Sequence, residues 1–190
     1  MNEYEKYIAD RIRVWVWSGF YSLPDVLEML EDCYEDDGDE EDADKQMLEE
    51  YAESEFQAKR EAEATWPPVT DCTRLDAAFD DLNGMGIIAL HNAGYTLSDG
   101  ISDVAEVLAE SDRDKVKGYC FYHEQDVERA IDGHGLMLAY GDIEDTAEGK
   151  LAVAELVKAE LEQQGFMVEW NGDPEVRIDL PRIVWQRRAA

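Results

Sequence analysis

The sequence predicts a single α/β domain, residues 1–190, in which a mixed sheet of five or six strands with flanking helices follows an all-helical N-terminal third. Two contrasts along the chain lead to this prediction. Residues 1–66 are rich in carboxylates and carry apolar side chains at helical spacing, whereas residues 67–190 contain short, continuous apolar runs. Those runs alternate with amphipathic stretches, which is typical of strands connected by helices.

Three helices are expected in the N-terminal part. Apolar residues recur every three or four positions over residues 4–15 and again over residues 23–34, so each stretch has one apolar face. A third amphipathic stretch, residues 45–66, ends at two prolines, which cannot continue a helix. The acidic run between the second and third helices, residues 35–44, has too few apolar side chains to pack, and we expect a solvated, mobile loop there.

The α/β part is expected to alternate helices with strands. A helix capped by Asp71 comes first. Three apolar runs that are typical of buried strands follow at residues 87–91, 118–122 and 136–140. Amphipathic helices are expected at residues 102–110, 124–131 and 144–164. Because strand–helix–strand connections are right-handed crossovers between parallel strands, we expect the three strands to be parallel.

The C-terminal residues predict antiparallel strands. Residues 166–170 and 176–180 alternate between apolar and polar side chains and flank a loop that opens with Asn171-Gly172, a pair that favours turns. We expect a hairpin that extends the sheet. After Pro181, residues 183–186 are expected to form a final edge strand.

Two of the three histidines follow predicted strands directly. The carboxyl ends of parallel strands meet at one edge of a sheet, where open α/β folds usually build their sites. Histidine performs acid–base chemistry near neutral pH when a carboxylate or amide orients it. The candidate catalytic residues are therefore His91, His123, Asp99 and Asp126. The candidate binding residues in the same loops are Asn92, Tyr95, Tyr122 and Asp142.

These residues also have plain structural interpretations. A histidine at a strand end is commonly a hydrogen-bonded residue of the fold. Cys120 and His123, together with His91, have a spacing seen in zinc sites. On a strand, however, Cys120 and His123 point to opposite faces, and no second ligand pair exists in the sequence. We expect no metal and no cofactor, because the phosphate-loop and dinucleotide-binding glycine motifs are absent from the sequence too.

The charge balance restricts the partners. The chain has 46 Asp and Glu against 17 Lys and Arg, a formal net charge of −29. That field repels phosphate backbones and anionic lipids, so nucleic-acid and membrane binding are not expected, whereas a basic protein partner is permitted. The start of the sequence does not resemble a secretion signal, and three cysteines are an odd number. We expect a cytoplasmic protein with reduced thiols.

Two segments go beyond generic patterns, residues 89–100, which begin Ala89-Leu90-His91-Asn92, and residues 118–126. Together with residues 168–172 and Arg177-Ile178, they resemble a family of uncharacterised bacterial proteins, a domain of unknown function. The resemblance covers about the C-terminal two-thirds of the chain. It implies a bacterial cytosolic origin, but no catalytic residue, cofactor or partner.

Two classes of function follow as hypotheses. The first is a non-enzymatic acidic module that binds a basic protein, as inhibitors and immunity-type proteins do. The alternative is a small hydrolase-like enzyme with its site at the loops after His91 and Tyr122. A scaffold or oligomer component that uses its aromatic first helix is a third interpretation, and the sequence leaves the oligomeric state open.

Overall fold

A computed structural model describes residues 1–36 and 44–189. Within these residues the elements are α1 (Glu3–Ser18), α2 (Leu23–Asp36), α3 (Lys45–Glu63), α4 (Asp71–Gly84), β1 (Ile87–Leu90), α5 (Leu97–Glu110), a short 3-10 turn (Arg113–Lys115), β2 (Gly118–Phe121), α6 (Glu124–Ile131), β3 (Leu136–Asp142), α7 (Ala147–Gln163) and β4 (Ile178–Leu180). Most of the acidic run that we expected to form a loop, residues 37–43, lies outside the described residues. None of the described helices combines the length and the apolar character needed to cross a membrane.

The chain forms two compact units, one of Met1–Pro68 with Gln186–Ala190 and the other of Val69–Trp185. In the first, α1 packs against α2 and α3 around a core that includes Ile12, Trp15 and Phe56. The expected helical spacing therefore corresponds to a shared apolar interior.

Two residues that the sequence pattern did not single out, Lys59 and Gly19, complete the C-terminal end of α1. Lys59 is buried on α3, where its ammonium donates to the carbonyl of Val16 at 2.9 Å and so satisfies a helix-end acceptor. Gly19 ends α1 with φ of +81°, and a Cβ there would lie 2.6 Å from the carbonyl oxygen of Arg187. Glycine is needed because it permits both the backbone conformation and the close approach.

The second unit contains the sheet, which has four strands among the described residues rather than the expected five or six. Their order is β1-β2-β3-β4. β1 and β2 are parallel, but β3 is antiparallel to β2, and β4 is antiparallel to β3. The expectation of three parallel strands was wrong because α6 is only eight residues long and the chain reverses directly after it. Gly133 and Gly135 both have positive φ in this reversal and return the chain to the same edge.

The predicted hairpin is reduced to β4 and a single bridge between Glu169 and Asp179. Side chains replace strand pairing here. The hydroxyl of Tyr140 and the indole N–H of Trp170 both donate to the carbonyl of Val176, at 2.8 and 3.1 Å. Because side chains already satisfy the carbonyl of Val176, the loop does not continue the hydrogen-bond ladder of the sheet.

The edge strand expected at residues 183–186 does not form. The backbone N–H of Val184 donates instead to a carboxylate oxygen of Asp71 at 2.9 Å. A side chain thus takes the place of the neighbouring strand.

Side-chain caps determine the first residues of helices α5 and α7. Thr96 and Asp99 form a capping box, so α5 starts at Leu97 instead of residue 102. Thr146 caps α7 by accepting from the N–H of Gly149 at 3.0 Å.

Candidate functional site

The loops after β1 and β2 lie side by side at one edge of the sheet. The backbone N–H of Ala93 donates to the carbonyl of Tyr122 at 2.9 Å, and the N–H of Glu124 donates to the carbonyl of Gly94 at 3.0 Å. These bonds continue the parallel pairing of β1 and β2 beyond the ends of the strands. The loops that carry the candidate histidines are therefore neighbours.

Asp142 does not share this edge, contrary to the expectation from a parallel third strand. It pairs with Gly118 at the other end of β2, because β3 runs antiparallel. Its carboxylate accepts from the backbone N–H and the hydroxyl of Thr146, at 3.1 and 2.8 Å. These hydrogen bonds hold the pKa of Asp142 below its ordinary value, since they favour the charged form. Asp142 orders the turn into α7.

The imidazole of His91 lies against α4. Its ring stacks on Phe79 with the centroids 4.4 Å apart. Nδ1 lies 2.7 Å from the hydroxyl of Tyr122, and Nε2 lies 3.4 Å from Oδ1 of Asp76. A carboxylate, an imidazole and a phenol are thus arranged in series.

This series keeps the imidazole occupied with internal partners. Both ring nitrogens of His91 lie close to another residue, and Tyr122 is fully buried. A general base must reach the proton of a bound substrate. Asp76, with its side chain 44% exposed, is the more exposed end of the series. The arrangement can hold or relay a proton, but it does not present a free imidazole nitrogen.

His123 belongs to a second cluster, at the start of α6. Its Nε2 lies 3.1 Å from Oδ2 of Asp126, and its backbone N–H donates to the same oxygen at 3.2 Å. The guanidinium of Arg177 also donates to this oxygen, and to the carbonyl of Met137 at 2.8 Å. Asp126 is only 4% exposed, so the carboxylate is paired away from water. The cluster joins α6 to the segment that leads into β4.

Burial determines the protonation of His123. Desolvation lowers its pKa from the ordinary value near 6.5, and the positive charge of Arg177 acts in the same direction, while the carboxylate of Asp126 opposes both. Together these effects favour the neutral imidazole near pH 7, whose proton on Nε2 donates to Asp126. Nδ1 is then an acceptor, and it is buried without a hydrogen-bond partner among the described residues.

The two histidines face different surroundings. Tyr122 and His123 are consecutive, and His123 has extended backbone with φ of −108° and ψ of 175°. Successive side chains of extended backbone point to opposite sides. Tyr122 accordingly meets His91, whereas His123 meets Asp126 and Arg177. The structure thus divides the predicted group into two clusters.

The other candidates of the loop after β1 have local roles. Asp99 accepts from the backbone N–H and the hydroxyl of Thr96, both at 2.9 Å, and these bonds lower its pKa. Asn92 adopts a left-handed backbone conformation with φ of 49°, as asparagine can in a turn. Tyr95 has 41% of its surface exposed. Asp99 acts on His123 through its charge, and its hydrogen bonds belong to the cap of α5.

A cavity of about 200 Å³ opens beside α5 on the surface of the sheet. Its apolar wall includes Leu97, Ile101 and Val176, and its polar groups include Lys150 and Arg177. Tyr119 from β2 lines it too, and neither candidate histidine does. The cavity therefore combines an apolar wall with two cations and with two carboxylates, Asp145 and Glu175.

Sequence reasoning missed these cavity residues. Lys150 precedes the apolar positions used to predict α7, and Arg177 stands in a predicted strand. The sequence offers one signal, a cation inside a predicted strand of a chain with net charge −29, and only the structure shows its internal partner, Asp126.

Cys120, considered as a zinc ligand, is fully buried in β2. Burial raises the pKa of its thiol, so the thiolate that binds metal is disfavoured. Within the part of the chain that the structure describes, no group of three or more His, Cys, Asp and Glu side chains is arranged to hold a metal ion.

Comparison with known proteins identifies one family. The sequence pattern described as Domain of unknown function (DUF6891) matches residues 1–189. No curated protein and no solved structure matches the chain.

Proposed function

We propose that this chain, which belongs to the DUF6891 family, a domain of unknown function, is an acidic module that binds a basic protein. The observation that carries the proposal is a group of exposed carboxylates on two packed helices. We call it the acidic face; it consists of Glu28, Glu31 and Asp32 on α2 and Glu49 and Glu53 on α3.

The carboxylates of the acidic face are not paired with cations of the described residues. Helix α2 contains no Lys or Arg, and none of the five carboxylates forms an ion pair with a described residue. Unpaired like charges repel one another and leave a negative potential that attracts a cationic surface. Because such charges increase the association rate and select the partner's sign, this face suits recognition of a basic protein.

Tyr34 reports the potential beneath this face. Its pKa is raised to about 12, first by burial and then by the charges of Glu49 and Glu31. Lys45 lies over the phenol ring at 4.3 Å. Two carboxylates of the acidic face therefore lie close enough to the phenol of Tyr34 to act on its pKa.

The function class is that of inhibitor or immunity-type proteins, which occupy a basic surface without chemistry. The surroundings of the two candidate histidines support this class over catalysis. His123 is 5% exposed, and both nitrogens of His91 face internal groups.

The test is a pull-down from an extract of the cell that expresses the protein, at about 50 and about 300 mM salt. The wild type is compared with a triple variant, Glu28→Gln, Glu31→Gln and Asp32→Asn. We expect a basic protein that the wild type retains at low salt and that the triple variant retains about tenfold less, since each exposed charge contributes up to about 1 kcal/mol.

The matched control removes the same charge from the other unit, with Glu128→Gln, Glu148→Gln and Glu155→Gln, which are exposed on α6 and α7. This control should retain the partner. Retrieval of no basic protein, or equal loss in both triple variants, would contradict the proposal.

A second candidate function, a small hydrolase-like enzyme, is favoured by the series formed by Asp76, His91 and Tyr122. If Asp76 moved away, Nε2 of His91 would become a base oriented by the phenol. A panel of chromogenic carboxylic and phosphate esters tests this role. Turnover that disappears in His91→Gln would support it, whereas no turnover, or turnover that persists in the variant, would reject it.

A further inference from the structure

The sequence contains one pair of consecutive arginines, Arg187-Arg188, and the structure places this pair on the helical unit. Residues 1–66 of that unit contain 21 Asp and Glu against 6 Lys and Arg. We call residues 186–189 the arginine segment. It is a short basic peptide on an acidic unit, so it shows how this unit contacts arginine.

The first arginine of the segment lies at the end of α1, where a glycine leaves space for it. A Cβ at Gly19 would lie 2.6 Å from the carbonyl oxygen of Arg187 and 2.7 Å from its Cγ. The guanidinium of Arg187 lies over the ring of Phe20, with its carbon 4.5 Å from the ring centroid. At this distance the π electrons of the ring attract a cation. Gly19 and Phe20 therefore accommodate both the backbone and the charged group of one arginine.

The second arginine binds the residues that follow α3. The guanidinium of Arg188 donates to the carbonyl oxygens of Pro67 at 2.9 Å and Trp66 at 3.4 Å, and its carbon lies 5.9 Å from the centroid of the Trp66 ring. The backbone N–H of Ala189 donates to a carboxylate oxygen of Glu63 at 2.9 Å. Two carbonyl oxygens beside an aromatic ring suit a planar guanidinium with several donors better than a compact ammonium.

The residues that contact the arginine segment form what we call the arginine cradle, which consists of Gly19, Phe20, Glu63, Trp66 and Pro67. The segment lies at the surface, since Arg188 and Ala189 are exposed and Arg187 is half-buried. Surface segments of this kind detach at a low free-energy cost. Release of the segment would uncover the cradle for another peptide of the same chemistry.

We propose that the arginine cradle binds an exposed pair of arginines on a basic protein, and that the arginine segment of this chain is a built-in competitor for the same site. The covalent connection keeps the segment at an effective concentration of about 1 mM. A partner must displace it, so the segment sets a threshold affinity. The inference rests on the proposed function for the source of the arginines, whereas the cradle and the acidic face consist of different residues.

The experiment is an NMR titration of the ¹⁵N-labelled full chain with an acetylated and amidated peptide that has the sequence of residues 186–190. The wild type is compared with the double variant Arg187→Gln and Arg188→Gln, whose segment lacks both guanidinium groups. For a peptide with a Kd near 0.1 mM, competition at an effective concentration of about 1 mM predicts that the double variant binds the peptide about tenfold more tightly than the wild type.

A second peptide separates arginine recognition from general attraction to a negative protein. It has lysine in place of both arginines and therefore the same charge. It should bind the double variant about fivefold more weakly than the arginine peptide, because an ammonium lacks the planar group that lies over the rings.

A further variant locates the peptide in the cradle. Phe20→Leu, introduced into the double variant, retains an apolar side chain but removes the ring, so the Kd of the arginine peptide should rise about fivefold. The matched control is Tyr7→Leu, which removes an exposed aromatic ring from α1 of the same unit. This control should bind as the double variant does. Amide spectra of each variant establish that it is folded.

Four results would overturn the proposal. They are equal affinity of the wild type and the double variant for the arginine peptide, equal affinity of the two peptides, equal weakening by Tyr7→Leu and Phe20→Leu, and a wild-type dimer in light scattering that the double variant loses. The last result would assign the cradle to the arginine segment of a second copy. A pull-down that retrieves no basic protein contradicts the proposed function and leaves the peptide titration unaffected, so the two failures are distinguishable.

Discussion

At the scale of single residues, the most constrained group is the carboxylate of Asp126. It is almost completely buried, and its Oδ2 receives hydrogen bonds from the His123 backbone and from Arg177. Removing one member of a buried ion pair leaves the other charge without compensation. Arg177 keeps 27% of its side chain exposed, so the expected cost lies at or below the lower end of the range for such pairs.

We predict that Arg177→Met lowers the free energy of unfolding by about 2–3 kcal/mol, measured by urea denaturation. The double variant with Asp126→Leu should recover most of this loss, because it removes the stranded charge as well. A loss below about 1 kcal/mol in the single variant, or no recovery in the double variant, would show that the pair does not stabilise the fold.

His123 leads to a prediction on pH. Its pKa is lowered in the folded protein, so the unfolded chain takes up the proton first as the pH falls. Stability is therefore fully present above the unfolded pKa of about 6.5 and is lost as the pH falls from there towards the folded pKa. One such group contributes a slope of at most about 1.4 kcal/mol per pH unit.

Urea denaturation at pH 7, 6 and 5 measures this loss. The variant His123→Gln should lose less stability than the wild type over this interval, because glutamine does not titrate. Parallel pH profiles of the two proteins would assign the loss to other groups.

At the scale of elements, the outer edge of β1 is covered by a side chain. The amide of Asn83 at the end of α4 donates to the carbonyl of Ala89 at 3.2 Å and accepts from its N–H at 3.0 Å. An uncovered strand edge leaves backbone groups unpaired and invites association with another strand. Asn83 thus occupies the position of a neighbouring strand at Ala89.

We predict that Asn83→Ala lowers the free energy of unfolding by about 1–2 kcal/mol and speeds amide exchange at Ala89. Asp80→Ala, an exposed change on the same helix, serves as the control and should alter neither quantity. Unchanged exchange at Ala89 in the Asn83 variant would mean that the amide does not protect the edge.

Helices were largely predictable, whereas strand pairing was not. The apolar stripe of α1 and the prolines after α3 are local signals, so they can be read from neighbouring residues. The start of α5 was expected at residue 102 and lies at Leu97, because the cap at Thr96 was not used. The direction of β3 depends on the reversal through Gly133 and Gly135 after α6, which periodicity does not encode. The missing edge strand depends on Asp71, more than a hundred residues away in the sequence.

At the scale of the whole molecule, the net charge of −29 sets the response to salt. Self-repulsion among carboxylates opposes the compact state, and salt screens it over a distance of about 10 Å at 0.1 M. We predict that Tm rises by about 3 °C between about 20 and 200 mM NaCl, the equivalent of about 1 kcal/mol for a chain of this size.

Thermal unfolding in sodium chloride and in choline chloride checks this prediction. The two salts should act alike, since screening does not depend on which cation is present. The triple variant of α2 should show a smaller rise, because it carries fewer repelling charges. A Tm that falls with salt, or that responds to sodium alone, would contradict the screening argument.

The candidate site was predictable in part. Sequence reasoning identified the loops after β1 and β2, because they follow apolar runs, and their backbones are joined by hydrogen bonds. It could not separate His91 from His123, since the side of the sheet that each side chain takes depends on the extended backbone at the end of β2. It also missed Lys150 and Arg177, whose meeting in one cavity requires α7 and the segment before β4 to be in place.

By itself, the sequence determined the α/β character of the chain, the positions of its helices and the negative charge, since composition and local periodicity carry these properties. The tertiary structure decided the order and direction of the strands, the division of the histidines into two clusters and the cavity beside α5. The physical reason is how far apart in the sequence the interacting residues lie. A helix satisfies its backbone within four residues, whereas a sheet, a buried ion pair and a cavity are formed by residues that only the folded chain brings together.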